Sequence, residues 1–254
     1  GLNIRWGRAG SNSSNVSYNG VNVSRENGGG LSIISNANNY KINIINCIIS
    51  GNWAGNAGGG ALLENTLAVF TNCLFSGNYA DYGGAALNSS NTKYFNCTFA
   101  GNHDNHGGAG MRNSSSSPIL TNCIMYGNNG GISNNSSSPV ITYSLIQGLT
   151  ATTNGNLNGN TNNPLFVTPI ASGTVNVDGD YMLQSTSPCI DKGILDSIPI
   201  GIETDLGDNR RNNCKINLGA YSYLFKSIRY VKTVASGTGS GNSWSNASSV
   251  FQLM

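Results

Sequence analysis

The sequence has very little charge and no long apolar run. Only 9% of its 254 residues are charged, and 13 basic against 11 acidic residues leave a formal net charge of +2. So small a charge, with no basic cluster, favours neither a nucleic acid nor an anionic membrane surface as partner. No apolar stretch approaches the roughly 18 residues that a membrane-spanning helix needs. The sequence therefore predicts no membrane span.

The six cysteines include no Cys-X-X-Cys spacing, so a zinc site of the common kind is not predicted. Four of them recur at a nearly fixed interval instead. Cys47, Cys73, Cys97 and Cys123 stand 26, 24 and 26 residues apart. A period in the twenties indicates a solenoid, in which each repeat buries its apolar face only against its neighbours.

The repeated segments predict a corner beside each of these cysteines. Large apolar residues lie three positions before and two positions after every one of them, as Phe70 and Phe75 do around Cys73. Positions five apart point to opposite faces of a flat strand, so a bend must lie between them. Asparagine precedes each cysteine, tolerates the left-handed backbone of a tight corner and can bond to the asparagine of the next repeat. These corner asparagines are Asn46, Asn72, Asn96 and Asn122.

Glycines mark the other bends of each repeat. A Gly-Asn pair begins four residues after every cysteine, and a cluster of glycine and alanine follows later. The sequence therefore predicts an all-β fold, a right-handed parallel β-helix of three-strand coils of 24–26 residues, with an irregular C-terminal β cap. Residues 138–148 are interpreted as a degenerate last coil, and residues 16–30 as an earlier coil without its cysteine.

We expect the four repeated cysteines to stay reduced. Strands of neighbouring coils lie about 4.8 Å apart, whereas a disulfide needs Cβ atoms about 3.8 Å apart and a specific torsion. Each thiol would then act as a small apolar core residue. Together with the corner asparagines, Cys47, Cys73, Cys97 and Cys123 are predicted to form a structural ladder.

The coil sequences GNAGGGALLEN, GNYADYGGAALN and GNHDNHGGAGMRN resemble those of bacterial surface proteins with parallel β-helix repeats, including the polymorphic outer-membrane protein type. The resemblance covers residues 20–147. It implies the fold and a secreted or cell-surface location, but no particular activity, because such coils carry many functions. We also expect that further coils precede these in a longer parent protein.

The period is lost beyond residue 148. The strings NNPLFV, YMLQSTSPCIDKG, TDLGDNRR and INLGAYSY resemble the choice-of-anchor segment of secreted β-helix proteins from Bacteroidetes-type bacteria. The resemblance implies that residues 149–225 cap the open end of the solenoid, where unpaired backbone would otherwise invite association. It also implies export by type IX secretion. Ser222 stands where that family usually has an acidic residue, which weakens any role assigned to that carboxylate.

The last residues do not continue the cap. Residues 226–254 resemble the opening of another β-helix module, in which a Gly-rich turn and the string SWSNA lead into an amphipathic helix. The chain thus divides into coils at 1–148, a capping segment at 149–225 and the start of a second module. Adjacent β-helix modules of the same chain are the expected neighbours.

Two features of the capping segment have competing interpretations. Cys189 and Cys214 would close a loop of about 25 residues in an oxidising compartment, contributing about 3 kcal/mol, or they are two unpaired, partly buried thiols. Four acidic residues could supply oxygen ligands to calcium, or they hold Asx-turns. These calcium candidates are Asp178, Asp180, Asp205 and Asp208.

Catalysis has only one candidate pair in the coils. Glycoside hydrolysis needs two carboxylates about 5 to 9.5 Å apart, and Asp81 and Asp104 both come shortly before a glycine pair and would stack one coil apart. No arginine or lysine clusters beside them. His103 and His106 lack a third strong metal ligand, so the bland interpretation of exposed turn histidines is preferred.

A row of planar side chains is the sharper surface signal. The residue after each Gly-Asn pair is Trp53, Tyr79, His103 or Asn129, so three rings are predicted to follow one another along successive coils. Such a row could bind sugar rings or a partner surface, or the rings could simply pack on each other.

The sequence favours a non-catalytic, extracellular stalk or adhesin module of a large bacterial protein, with a glycan or another surface ligand as partner and no cofactor apart from calcium. Two alternatives stay open. One is a polysaccharide lyase, glycoside hydrolase or carbohydrate-binding β-helix, and the other is a structural filament subunit.

Overall fold

The computed structural model describes residues 2–10, 16–18, 21–23, 26–35, 41–173, 175–211, 216–223, 231–232, 238 and 248–249. They fall into two compact units, Gly1–Tyr223 and Leu224–Met254. In the second unit β25 (Val231–Lys232) pairs in parallel with β26 (Ser248–Ser249). Most of the predicted second module, residues 226–254, lies outside the described residues.

The first unit is a stack of parallel coils. The first coil contains β1 (Asn3–Arg5), β2 (Arg8–Ala9), the hairpin β3 (Val16–Tyr18) and β4 (Val21–Val23), and β5 (Leu31–Ile34). The second contains β6 (Lys41–Ile45), β7 (Ile48–Ser50), β8 (Trp53–Ala54) and β9 (Ala61–Glu64). The third contains β10 (Leu67–Thr71), β11 (Leu74–Ser76), β12 (Tyr79–Ala80) and β13 (Ala86–Ser89).

The remaining coils shorten toward the C-terminal end. The fourth contains β14 (Lys93–Phe95), β15 (Thr98–Ala100), β16 (His103–Asp104) and β17 (Met111–Ser114). The fifth contains β18 (Ile119–Thr121), β19 (Ile124–Tyr126) and β20 (Ile132–Asn135), and the sixth β21 (Val140–Thr142) and β22 (Leu145–Ile146). After the coils come β23 (Phe166–Thr168), β24 (Asp180–Leu183) and two 3₁₀ turns at Thr153–Gly155 and Leu195–Ser197.

Equivalent strands of successive coils form four parallel sheets rather than the three that we predicted. Sheet I contains β6, β10, β14, β18 and β21; sheet II contains β1, β7, β11, β15, β19 and β22. Sheet III contains β2, β8, β12 and β16, and sheet IV contains β5, β9, β13, β17 and β20. The prediction of an all-β parallel solenoid is confirmed. The strands of sheet III are only two residues long, which is too short for an alternation of apolar and polar residues to identify them as strands in the sequence.

The first coil differs from its prediction. Here β3 pairs antiparallel with β4, and these two strands do not supply a coil. The first coil instead begins at Asn3, because β1 pairs with β7, β2 with β8 and β5 with β9. Hydrophobic residues alternate in the same way in a hairpin and in a solenoid strand. The sequence pattern of residues 16–30 therefore could not distinguish a hairpin from a coil.

The interior of the coils is filled by columns of equivalent side chains. In-register parallel pairing places Phe75 between Ile49 and Phe99, and the rings of Phe75 and Phe99 stack with centroids 4.8 Å apart. Phe70 and Tyr94 stack in the same way at 5.2 Å. Cys47, Cys73, Cys97 and Cys123 lie in this core as buried free thiols. The side chains of each column are separated by the spacing between strands, so the same packing arrangement recurs from one coil to the next.

Candidate functional site

A row of exposed or half-buried side chains runs along the outer surface of sheet III. Its strands are two residues long: the first residue points outward, and the second, such as Ala54 or Ala80, is buried. The register aligns Arg8 with Trp53, Trp53 with Tyr79, and Tyr79 with His103. We call these four residues and Asn129 of the following coil the open row.

The rings of the open row lie against their neighbours. Tyr79 and His103 stack with centroids 5.1 Å apart and planes 10° apart, and the guanidinium of Arg8 lies 5.0 Å from the centre of the Trp53 ring. The Asn129 amide donates to the backbone oxygen of Asp104 at 2.8 Å. Stacking therefore covers the faces of Tyr79 and His103 that meet, and both side chains stay half-buried, with Nδ1 of His103 in the interior.

A second stack beside the open row was not predicted. Tyr82 and His106 stack with centroids 4.2 Å apart, and Arg112 lies over the Tyr82 ring at 4.6 Å, a geometry in which the cation is attracted by the ring quadrupole. The sequence contained a signal for it, because Tyr82 and His106 both directly precede a glycine pair.

Polar side chains join the two stacks. The Asn105 amide donates to the Asp81 carboxylate at 2.6 Å and to the Tyr79 hydroxyl at 2.9 Å. The His106 Nδ1 lies 2.9 Å from the backbone oxygen of Asp81. The surface from the open row to Tyr82 and His106 thus presents a continuous set of aromatic edges, amides and one carboxylate.

The predicted stacking of Asp81 on Asp104 is wrong. The register pairs Asp104 with Ala80, and the backbone N–H of Asn105 bonds to the carbonyl of Asp81, so the two acids are one position out of alignment. Asp104 is buried, and its carboxylate accepts the N–H groups of Gly107 at 2.8 Å and Gly108 at 2.7 Å. Asp104 therefore holds a turn, while Asp81 lies at the surface, and the two carboxylates do not form the facing pair of a glycosidase.

A buried asparagine ladder positions the open row, and sequence reasoning assigned it only to a bend. The asparagine of each Gly-Asn pair points inward: Asn52 donates from Nδ2 to Oδ1 of Asn78 at 2.9 Å, Asn78 to Asn102 at 3.0 Å and Asn102 to Asn128 at 2.8 Å. Apart from Arg8, which follows Gly7, each row residue directly follows one of these asparagines, so the ladder fixes its height and direction. The regular Gly-Asn spacing was the available signal.

The corner asparagines have the predicted backbone conformation and an additional role. Asn46, Asn72, Asn96 and Asn122 all have positive φ, between 50° and 57°. Asn72 donates to Asn46 at 3.0 Å and Asn122 to Asn96 at 3.2 Å. Three of them also bond to the C-terminal segment: Asn72 to the carbonyl of Thr204, Asn96 to that of Asn217 and Asn122 to that of Ile194.

The C-terminal segment covers the side of the solenoid as well as its end. Residues 149–159 close the end, where Leu157 bridges to Leu145 and Asn156 accepts the N–H of Ser144. The rest runs back along the outer surface of sheet II, which we call the covered face. There Leu74, Ile124 and Leu145 form a second core with residues of the segment. The segment contributes Phe166, Tyr181, Leu183, Cys189 and Leu218.

The corner glycines make this cover possible. Gly77 has φ of 58°, and a Cβ there would overlap the backbone oxygen of Asn176. Glycine is thus required both for the left-handed corner and for the close approach of the second chain segment.

The calcium candidates are dispersed or already bonded. Asp205 is buried, and its carboxylate accepts the N–H groups of Gly207 and Asn209, both at 2.8 Å. Asp180 accepts the N–H of Met182 at 2.9 Å, as in an Asx-turn, and Asp178 and Asp208 are exposed. Among the described residues, no three acidic, histidine or cysteine side chains gather as a metal site. Calcium binding stays a prediction for which the structure offers no assembled site.

Buried ionisable groups hold the segment together. Arg211 donates to the backbone oxygen of Gly219 at 2.7 Å, and burial lowers the pKa of its guanidinium to about 10, against the opposing effect of Asp205. Cys189 is buried, and this burial raises the pKa of its thiol to about 12. Cys214 lies outside the described residues, so its disulfide with Cys189 stays a prediction.

Comparison with known proteins identifies the fold family. The family described as the right handed beta helix region matches residues 9–167, more than half of the 254-residue chain. The match begins in β2 and ends in β23, so it covers the coils. No curated protein and no solved structure matches the chain. In the part of the chain that the structure describes, no helix is long and apolar enough to cross a membrane.

Proposed function

Because this chain belongs to the right-handed β-helix family, we propose that it is a non-catalytic adhesion module of a larger bacterial protein, displayed outside the cell, with glycans as its ligands. The open row carries this proposal. It places Arg8, Trp53, Tyr79, His103 and Asn129 side by side over successive coils on a surface that the described chain leaves uncovered. Aromatic edges, amides and a cation at regular spacing suit the hydroxyl groups and apolar patches of sugars.

The composition of the coils supports an extracellular location. The polar residues of the coils are mostly Asn, Ser and Thr, and buried asparagines bond from coil to coil, as Asn88 does to Asn113 at 2.9 Å and Asn113 to Asn134 at 2.9 Å. Such uncharged ladders stabilise a solenoid without relying on ion pairs that salt would screen. The adhesion proposal is preferred to the enzyme alternative because Asp104 is buried and its carboxylate is already bonded to the N–H groups of Gly107 and Gly108.

Glycan-array binding tests the proposal. The variant carrying Tyr79→Ala and His103→Ala removes the central rings of the open row, and we expect it to lose most of the array signal. The matched control carries Leu67→Ala and Val140→Ala, two exposed residues of sheet I. Both variants should remain folded: substitutions at exposed positions such as Leu67 and Val140 usually change stability by about 0.5 kcal/mol or less, and loss of the half-buried pair of rings removes about 1 kcal/mol.

Two outcomes would contradict the proposal. If the open-row variant and the wild type bind the same glycans equally, the row is a packing feature and not a binding surface. If the control variant loses binding and the open-row variant keeps it, the binding surface lies on sheet I instead.

A further inference from the structure

The four core cysteines stand one above another in successive coils. The residues that directly follow them are paired in register, Ile48 with Leu74, Leu74 with Thr98 and Thr98 with Ile124. The cysteines themselves are therefore in register, and all four are buried free thiols that point into the core. We call Cys47, Cys73, Cys97 and Cys123 the thiol ladder. Its neighbouring members are one strand spacing apart, about 4.8 Å.

The thiols of the ladder lie close to backbone oxygens and to one another. The sulfur of Cys97 is 3.4 Å from the carbonyl oxygen of Phe95 and 3.6 Å from that of Phe70 in the preceding coil. Cys97 also interacts with both adjacent thiols, those of Cys73 and Cys123. Burial raises the pKa of the Cys97 thiol well above its usual value, so this group is protonated and uncharged at neutral pH.

The spacing of the ladder fits a metal ion held in a straight line between two sulfurs. A bond between a metal ion and a thiolate is about 2.3 Å long, so two such bonds in line span about 4.6 Å. That span nearly equals the strand spacing of about 4.8 Å. A disulfide does not fit the same gap, because its sulfurs are only about 2 Å apart.

The charge of the ion is selected by the apolar surroundings of the ladder. Two thiolates carry two negative charges, and a divalent ion neutralises both, whereas a monovalent ion leaves one charge buried without a partner. Zinc is divalent but takes four ligands in a tetrahedron, and each gap of the ladder provides only two thiols. Thiolates prefer soft ions. The fit is thus to a soft divalent ion that takes two ligands in line, and Hg(II) is such an ion.

We propose that adjacent cysteines of the thiol ladder bind a soft divalent metal ion through two thiolates in line. On binding, each thiol of the pair releases its proton to the solvent and forms one bond to the metal, and no group changes its oxidation state. Each thiolate binds one ion, so the ladder takes two ions, one at Cys47 and Cys73 and one at Cys97 and Cys123. This metal site is independent of the open row and of the proposed adhesion.

Two double variants with equal numbers of thiols test the site. Cys47→Ala with Cys73→Ala, the adjacent variant, keeps Cys97 and Cys123 in neighbouring coils. Cys73→Ala with Cys123→Ala, the separated variant, keeps Cys47 and Cys97 about 9.6 Å apart, too far for one ion to bind both. We expect two mercury ions in the parent chain, one in the adjacent variant and none in the separated variant.

The ladder thiols must be the only cysteines in this experiment. The parent and both variants therefore also carry Cys189→Ala and Cys214→Ala, which leaves only ladder cysteines of the six in the 254-residue chain. Because the ladder is buried, each chain is refolded from urea in the presence of Hg(II), so that the ion enters before the core closes. Dialysis against a monothiol then removes mercury that is held by a single sulfur, and native mass spectrometry counts the ions that remain.

The thermal midpoint separates a prepared site from simple thiol reactivity. Mercury should raise the midpoint of the adjacent variant, because the ion binds the arrangement that the folded chain provides. It should leave equal or lower the midpoint of the separated variant, whose two thiols meet only in the unfolded chain. Zn(II) added in the same way should leave the midpoint of the adjacent variant unchanged, because two thiols do not complete its coordination.

X-ray absorption of the mercury-loaded parent keeps the test independent of how well the variants fold. We expect two sulfur ligands at about 2.3 Å. Three or four sulfur ligands, equal numbers of retained ions in the two double variants, or a midpoint of the adjacent variant that mercury lowers would each overturn the site. The glycan array is run on the metal-free chain, so failure of the metal site leaves the adhesion proposal as it stands.

Discussion

Sheets II and III belong to the same coils, but the outer surface of sheet II is buried whereas that of sheet III is partly exposed. On sheet II, Leu74, Ile124 and Leu145 point outward and are buried by the C-terminal segment. On sheet III, Trp53 and Tyr79 point outward and remain partly exposed. The backbone of each coil is equally able to be covered on sheet II or on sheet III. The outward-pointing side chains therefore determine which of the two sheets is buried under another segment and which stays at the surface.

The two sides are also stabilised by different interactions. The covered face combines an apolar core with hydrogen bonds from corner asparagines, such as the 2.7 Å bond from Asn72 to Thr204. The open row is ordered from behind, by the buried ladder that contains Asn78, and from the side by ring stacking. A surface built in this way can be substituted without unfolding the coils, as a binding surface must be if it is to diversify.

Removing the cover should have the largest effect. A chain that ends at Asn162 keeps the closed end of the solenoid but exposes Leu74, Ile124 and Leu145 together, and such a patch promotes association. We expect it to aggregate in size-exclusion chromatography. The matched variant, truncated and carrying Leu74→Ser and Ile124→Ser, should recover a monomeric fraction. If the truncated chain is monomeric without these substitutions, the exposed covered face does not cause association and the prediction is wrong.

Alkaline pH should weaken the covered face next. Burial raises the pKa of Cys189, Tyr181 and Tyr221 to about 12 each. The folded state holds these protons more tightly than the unfolded state, so the stabilisation is complete below the unfolded pKa values of about 9 to 10 and is lost as the pH rises toward 12. Urea unfolding midpoints should therefore fall above pH 9. A midpoint that stays constant from pH 9 to 12 would contradict this burial.

A single docking asparagine should have the smallest effect of the three. Asn122 exchanges bonds with Ile194, donating to its carbonyl at 2.8 Å and accepting its N–H at 2.9 Å. Asn122→Gly keeps the positive φ but removes the amide, and we expect a loss of about 2 kcal/mol. Asn65→Gly is the control, because Asn65 also has positive φ but is exposed.

Urea unfolding and hydrogen exchange of residues 190–197 measure the difference between these two variants. Asn65→Gly should change stability by less than about 0.5 kcal/mol. Equal effects of the two substitutions would mean that the corner conformation, and not the bond to the segment, is what Asn122 contributes.

The coil plan and the open row could be predicted because both repeat. Counting from Cys73 located the bend at Asn72, and counting from Gly77 located Tyr79 in the row. The same count shows why the acid pair was wrong: Asp81 is four residues past its corner glycine, whereas Asp104 is three past Gly101. Noting only that both acids come shortly before a glycine pair hid that difference, although Asp81 stands two residues before Gly83 and Asp104 three before Gly107.

The lateral cover was harder to predict, although a local signal existed. The apolar residues Ile48, Leu74 and Ile124 directly follow their cysteines. The residue after each of them, which points into the coil, is apolar as well. A strand with two apolar faces is buried on both sides. The strand itself did not reveal which part of the chain supplies the second layer, because the covering residues, such as Tyr181 and Leu218, have no period.

The sequence by itself determined the local geometry: the period, the left-handed corners and the alternation of inward and outward residues, all of which depend on contacts within one repeat or between identical repeats. Only the tertiary structure decided which outer face is covered and that Asp104 is used in a turn. These depend on non-repeating segments meeting the coils. Periodicity carries no information about where such segments pack, whereas burial and hydrogen bonding of the whole chain select one place.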